Sequence, residues 1–261
     1  MLTNPTSTGS QIQLSTRLAQ TAADRAAAQR LRYQVFVAEL GATGPMVDHA
    51  DGREVDHLDD IADHLLLEDA SRPEGDRVVG VYRLMNAAQA AGAGGFYSAT
   101  EFDISPLLAS GKSLLELGRS CLHPDYRGGA GMFMMWAALA DLIAGQGIEV
   151  LFGTASFQTT DPLSITGPLS LLFNRHSAPP DLTARSMAYH PMDLIPADQV
   201  DRKAALLDMP PLIKAYLRLG GMVGDGAFID HAFGCIDICM ILEIARIPAS
   251  QRAMYERGRA L

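Results

Sequence analysis

The chain has 261 residues, 48% of them hydrophobic and 20% charged, with a formal net charge of −9 at neutral pH. That balance belongs to an ordinary globular protein and excludes a collagen, a coiled coil or a chain without a core. The acidic charge argues against nucleic acid as a partner, because neutralising phosphates supplies most of that affinity.

Residues 1–11 are rich in Thr, Ser and Gly and are expected to be disordered. Ile12 to Leu18 alternates and predicts a strand. Thr21 to Leu40 predicts a helix: Thr21 suits the N-cap, Leu31, Val35 and Phe36 recur at helical spacing, and Gly41 sits at the stop. Residues 42–63 are polar and acidic, and loops of that length are usually functional or disordered. His64–Glu68 and Val78–Leu84 predict an antiparallel hairpin, with a turn at 72–76. Residues 87–95 read as a small-residue loop, and 98–108 as partly helical. Ser113–Leu122 predicts a strand with Gly118 inside it, which marks a bulge or a close backbone approach. Arg127, Gly128, Gly129, Ala130 and Gly131 then open a helix, Met132–Ala144, that stops at Gly145. Glu149–Phe157 predicts a strand, 162–175 and Pro211–Leu219 helices, and Cys235–Ala245 a closing apolar strand.

This order predicts one α/β domain over 12–246, a single mixed sheet flanked by helices and extended at the C-terminus, followed by a tail at 247–261. No run of about 18 apolar residues predicts a membrane span. The polar N-terminus lacks a signal-peptide core. With only three cysteines, Cys121, Cys235 and Cys239, a reducing cytoplasm is the expected compartment.

The strand, glycine turn and helix at 113–144 are the most informative stretch. A helix N-terminus behind glycines offers free N–H groups and a positive dipole end to a phosphate. The same glycines serve a tight turn equally well. Gly111-Lys112-Ser113 has the ending of a nucleotide phosphate loop, but Pro106 stands where its first glycine is required. A dinucleotide glycine pattern is also absent from this turn.

Glu116-Leu117-Gly118-Arg119-Ser120-Cys121-Leu122-His123-Pro124, followed by Tyr126-Arg127-Gly128-Gly129, resembles the N-acyltransferases that make ornithine lipids. These are members of the Gcn5-related acyltransferase (GNAT) superfamily and relatives of acyl-homoserine-lactone synthases. Segments 31–41, 56–59 with 63–66, 210–220 and 230–233 carry the same resemblance, which spans about residues 14–245. It implies a GNAT-like fold and transfer of a 3-hydroxy fatty acyl group to the α-amine of L-ornithine. The implied donor is the acyl-phosphopantetheine of acyl carrier protein, with no permanently bound cofactor and no metal. The turn departs from the common superfamily pattern, with Ala130 and Met132 at its small-residue positions. That favours a donor without the adenosine diphosphate of coenzyme A.

On this resemblance the catalytic set is Glu116, Arg119 and Ser120. The acyl donor is expected on Leu117, Gly118, Cys121, Arg127, Gly128, Gly129 and Gly131. The acceptor is expected near Arg32, Phe36, Asp59, Asp63 and His64. Glu116, mid-strand among apolar residues, is either a base for the amine or half of a salt bridge to Arg119 or Arg32. The acids Asp48, Asp56, Asp59, Asp60 and Asp63 either recognise a cationic acceptor or form a solvated loop. The Asp-His pairs at 48–49, 56–57 and 63–64 lack the spacing of a metal site. Cys121 is either a buried core residue or an acyl-cysteine nucleophile. Arg202, Lys203, Lys214 and Arg218, with Arg252, Arg257 and Arg259, suit docking of the acidic carrier protein. They equally suit solvated helix faces or a peripheral contact with the inner membrane. Rival readings are the same reaction on glutamine or another amino acid, a homoserine-lactone synthase, and a non-catalytic acyl-chain or carrier-protein binding module.

Overall fold

A computed structural model describes residues 12–251 of the chain. The expected disorder of 1–11, and Arg252, Arg257 and Arg259, lie outside the described residues. The strands are β1 (Leu14–Leu18), β2 (Val47–Asp48), β3 (Arg53–Glu54), β4 (Asp63–Asp69), β5 (Val78–Asn86), β6 (Phe102–Asp103), β7 (Leu114–Leu122), β8 (Val150–Phe157), β9 (Arg185–Ser186), β10 (Met222–Val223), β11 (Phe228–Asp230) and β12 (Cys235–Glu243). The α-helices are α1 (Ala22–Arg32), α2 (Ala87–Ala93), α3 (Ser105–Ala109), α4 (Ala130–Gln146), α5 (Thr166–His176), α6 (Arg202–Asp208) and α7 (Pro211–Arg218). None of the helices described is long and apolar enough to cross a membrane.

The main sheet runs β1-β4-β5-β7-β8-β12-β10, with β11 also on β12. Every pairing in it is antiparallel except β7 with β8. This is the mixed sheet the sequence predicts. Helix α1 starts where Thr21 accepts from Asp24 N while the Asp24 side chain accepts from Thr21 N, a capping box that satisfies two otherwise orphaned donors. The helical path continues as a π-helix, Tyr33–Glu39, and Gly41 leaves it at φ 78°.

The core has two faces. Ala28, Leu31 and Val35 pack against Leu66, Val81 and Cys121 on one side of the sheet. Met135, Trp136 and Leu139 of α4 pack against Leu65, Leu67, Tyr82 and Leu122 on the other. Gly131 is buried in α4, and a Cβ there would lie 3.1 Å from Leu67 Cδ2.

Three local readings need correction. The stretch 87–95 is not a loop: Asn86 caps helix α2 through Gln89 N, and its alanines carry no apolar stripe that periodicity can detect. Helix α4 runs past Gly145 and ends at Gly147, whose φ of 63° suits the left-handed cap. The acidic stretch 42–63 carries the short β2–β3 hairpin and is tied down by buried ion pairs.

Two features prepare a site at the centre of the sheet. On β7, Cys121 pairs with Val81 and Gly118 with Arg83, so Arg119 and Ser120 together oppose Tyr82 alone. That is a β-bulge, with Arg119 at φ 50°, a conformation uncommon outside glycine. The bulge predicted from Gly118 thus falls on the next two residues. The parallel pairing of β7 with β8 covers Leu114–Val150, Leu115–Leu151 and Glu116–Phe152 only. Beyond it β7 stays with β5 and β8 with β12, so the sheet parts. Gly153 sits at the apex, at φ 156°, where a Cβ would lie 2.1 Å from Leu117 O.

Candidate active site

The parting leaves a slot between two strands that are otherwise buried. On β7 the half-exposed positions are Gly118 and Ser120; on β8 they are Thr154 and Ser156. Ser156 Oγ donates to Asp237 Oδ1 at 2.5 Å, which links the slot to β12. Beyond the end of β7 the chain runs through Gly128 and Gly129 to the start of α4. Gly129 is the N-cap and offers no side-chain acceptor to the first helical N–H groups.

One wall is a buried network of three arginines and three acids. Arg32 forks onto Asp59 at 2.7 and 2.6 Å and its Nε lies 2.5 Å from Glu54 Oε2. Arg83 reaches Asp56 at 2.6 Å and Asp59 at 3.0 Å. Arg119 reaches Glu54 and Asp56, each at 3.1 Å. Gln29 adds a donor to Asp59 at 3.0 Å. Burial by itself would raise the Asp59 carboxyl, but the bonds and charge of Arg32 and Arg83 outweigh it and hold the group well below the usual carboxylate range. Asp56 is lowered in the same way, burial being outweighed by Arg83 and Arg119. His64 donates from Nε2 to Asp59 O at 2.9 Å, and burial lowers its pKa, so the ring is neutral.

This changes the expected acceptor site. Asp59 and Arg32 have their charges matched by one another and by Arg83 and Glu54, so neither offers an unmatched charge to a ligand. Asp63 is half-buried at the start of β4, opposite Leu84. Phe36 packs edge-to-face on Phe233 with centroids 6.0 Å apart. The network ties the acidic loop to α1, β5 and β7, so Glu54, Asp56 and Asp59 are structural rather than solvated, while Asp60 is 87% exposed.

Glu116 forms neither of the salt bridges considered. Its two oxygens accept from Tyr97 N at 3.0 Å and Ser98 N at 2.6 Å. The carboxylate therefore fixes the short 3₁₀ turn Tyr97–Thr100 against β7. Two charge-assisted bonds to backbone donors account for a buried acid mid-strand, and they make Glu116 a positioning group for whatever that turn carries.

The turn carries Tyr97 and Glu101. The Arg119 guanidinium lies 4.4 Å from the Tyr97 ring centroid and 5.1 Å from that of Phe233, between two aromatic faces. Glu101 is 3% exposed and Asp237 4% exposed. Burial first, and then the charge of the other carboxylate, raises Glu101. Burial and the nearby Asp230 raise Asp237. Asp230 accepts from Ala232 N and Phe233 N and so holds the turn that places Phe233. Sequence reasoning missed Glu101, Tyr97 and Asp237. The only local signal was an acid in the apolar run 235–243, the same signal that singled out Glu116.

On the donor side, Arg127 forks onto Glu39 at 2.6 and 2.7 Å, so its guanidinium is already paired. Leu117 is buried and presents its carbonyl to Gly153. Cys121 sits in the core beneath α1, and burial pushes its thiol up to about 12. It is therefore no thiolate at neutral pH, which an acyl-cysteine route needs.

Residues 31–137 match a family model described as an acetyltransferase (GNAT) domain. The chain is similar to an L-ornithine N(alpha)-acyltransferase of Rhodobacter capsulatus, 50% identical over 243 residues that cover 92% of this chain and 94% of the relative. A protein of the same name from Brucella abortus is 42% identical over 248 residues, covering 93% and 88%. Among solved structures, a CoA-dependent acyl-homoserine lactone synthase covers 90% of this chain and 81% of its own, at 16% identity and a TM-score of 0.49.

Proposed function

The chain belongs to the L-ornithine N(alpha)-acyltransferase family, and on that premise we propose that it moves a 3-hydroxy fatty acyl group from acyl carrier protein to the α-amine of L-ornithine, giving lyso-ornithine lipid. The observation that carries this reading is the parting of β7 from β8 beyond Glu116 and Phe152. A phosphopantetheine arm is extended and carries amides, so it can lie along a strand edge as an added strand does. The uncapped start of α4 suits the single phosphate of that arm.

The reaction is direct attack in a ternary complex. The free amine adds to the thioester carbon, and the carbonyl oxygen takes up the charge. Collapse breaks the C–S bond and completes the amide, and the departing thiolate takes the proton the amine gives up. The bulge at Arg119–Ser120 lies beside the slot, where backbone donors would meet the developing oxyanion; such donors are usually the largest catalytic term. Arg119 keeps the bulge in place through Glu54 and Asp56. Exposed Arg202 and Lys203 on α6 and Arg218 on α7 complement the charge of an acidic carrier protein.

The test is a product assay by mass spectrometry with acyl carrier protein thioesters and a panel of amino acids. Acyl-ornithine should dominate, and kcat/KM should favour the carrier-protein donor over the coenzyme A thioester of the same chain. Acyl-glutamine as the main product, or equal use of coenzyme A, overturns the acceptor or the donor respectively.

A further inference from the structure

We propose that Glu101 and Asp237 form the seat for the side-chain ammonium of the amino-acid acceptor, and so select a diamino acid over a neutral one. The inference rests on the N-acyltransferase reading above and names the group that recognises its substrate.

The buried acids of this protein fall into three sets. Asp69 and Glu116 have both oxygens hydrogen-bonded by backbone N–H or hydroxyl donors. Glu54, Asp56 and Asp59 are matched by Arg32, Arg83 and Arg119. Glu101 and Asp237 are equally buried, yet among the described residues no Lys or Arg ion-pairs with either. The nearest cation, Arg119, is engaged by Glu54 and Asp56. Glu101 Oε2 is buried without a hydrogen-bond partner, and the neutral Tyr97 hydroxyl that lies close to the carboxyl brings it no cation. Asp237 accepts from Ser156 Oγ, with Cys235 Sγ 3.6 Å from both of its oxygens, but neutral donors do not cancel its charge.

Two adjacent buried carboxylates without a cation are unfavourable in the free protein. A ligand that brings the cation removes the conflict. An ammonium has three donors and no acceptor, so it can bond both carboxylates at once. The place is also right. Asp237 accepts from Ser156, a half-exposed position of the slot, and half-buried Tyr97 and Asp230 lie beside the pair. An acceptor whose α-amine faces the slot can therefore extend its side chain between Glu101 and Asp237.

The test compares wild type with Glu101→Gln and Asp237→Asn, using ornithine and norvaline, its neutral counterpart, as acceptors. Each variant should raise KM for ornithine tenfold or more, and the ornithine-over-norvaline ratio of kcat/KM should fall by at least the same factor. Calorimetric titration of ornithine into the protein without donor should show the same loss of affinity. Far-UV circular dichroism and melting establish that the variants fold; removing a buried charge should raise their Tm near pH 8.

Variants that keep the wild-type preference overturn the seat while the N-acyltransferase reading stands. A fall in kcat on both acceptors alike, with KM unchanged, makes the pair a proton acceptor instead. Activity lost to a chelator and restored by a divalent ion assigns Asp230, Cys235 and Asp237 to a metal and also overturns the seat. Wild-type enzyme that prefers norvaline or glutamine overturns the functional reading and the seat together.

Discussion

At the scale of single residues, Glu116 is the instructive case. Its residue type and position suggest a base, but both its oxygens hold backbone donors of the 97–100 turn. Gln at this position keeps one acceptor oxygen and turns an NH₂ group toward the other N–H. A buried donor left unsatisfied costs about 1–3 kcal/mol. Glu116→Gln should therefore lower stability by that amount in urea titrations and loosen the segment that carries Tyr97 and Glu101. Its kinetic effect should fall mainly on the acceptor KM. A variant of unchanged stability that loses about 10²–10⁴-fold in kcat would restore the general-base role.

At the scale of elements, the site is made by two strands that separate. Gly153 is the hinge of that separation: its backbone approaches Leu117 closely, and a side chain has no room. Gly153→Ala forces a methyl against a backbone carbonyl at a φ that L residues rarely adopt, and overpacking of this kind costs about 1–3 kcal/mol or more. We expect reduced stability together with a higher KM for the acyl donor, because the slot must shift to relieve the clash. Unchanged stability and donor KM would show that the parting does not depend on this contact. The bulge at Arg119 belongs to the same device, since its strained φ persists only while Glu54 and Asp56 hold the guanidinium.

At the scale of the whole molecule, the arginine-paired acids and the Glu101–Asp237 pair make opposite contributions to stability. Asp56 and Asp59 are lowered in the fold, so their contribution is complete above the ordinary aspartate value of about 3.9 and is lost as pH falls below it. Glu101 and Asp237 are raised, with Asp230, Cys235, Tyr97 and Arg119 as their charged or titratable neighbours. Their penalty is absent below the ordinary carboxylate range and grows as pH rises through their folded values. The carboxylates alone would make the ligand-free protein most stable at about pH 5, and the lowered pKa of His64 moves the maximum upward, because protonating that buried ring opposes folding below its ordinary value of about 6.5. Melting curves from about pH 3 to about pH 9 check this. Glu101→Gln should lift the alkaline side and leave the acid side in place. A Tm that climbs steadily up to about pH 8 in wild type would contradict it.

What the chain order made legible is what neighbouring residues encode. Alternation marked β1; short apolar runs marked β4 and β5; Thr21 marked the start of α1; Gly118 marked the disturbance in β7. Each is a property of a short window, so pattern and propensity suffice. Helix α2 escaped because Ala87–Ala93 has no apolar face to read. The matching of charges is of another kind. Whether an aspartate is free to hold a substrate depends on which arginines fold against it, and that is a sum over neighbours in space. So the acids of 42–63 read as either a cation site or a solvated loop, though three arginines from α1, β5 and β7 neutralise Glu54, Asp56 and Asp59. Glu101 and Asp237, far apart along the chain, gave no joint signal. They become a pair only when β12 crosses the sheet beside β8 and Glu116 pins the 97–100 turn above it.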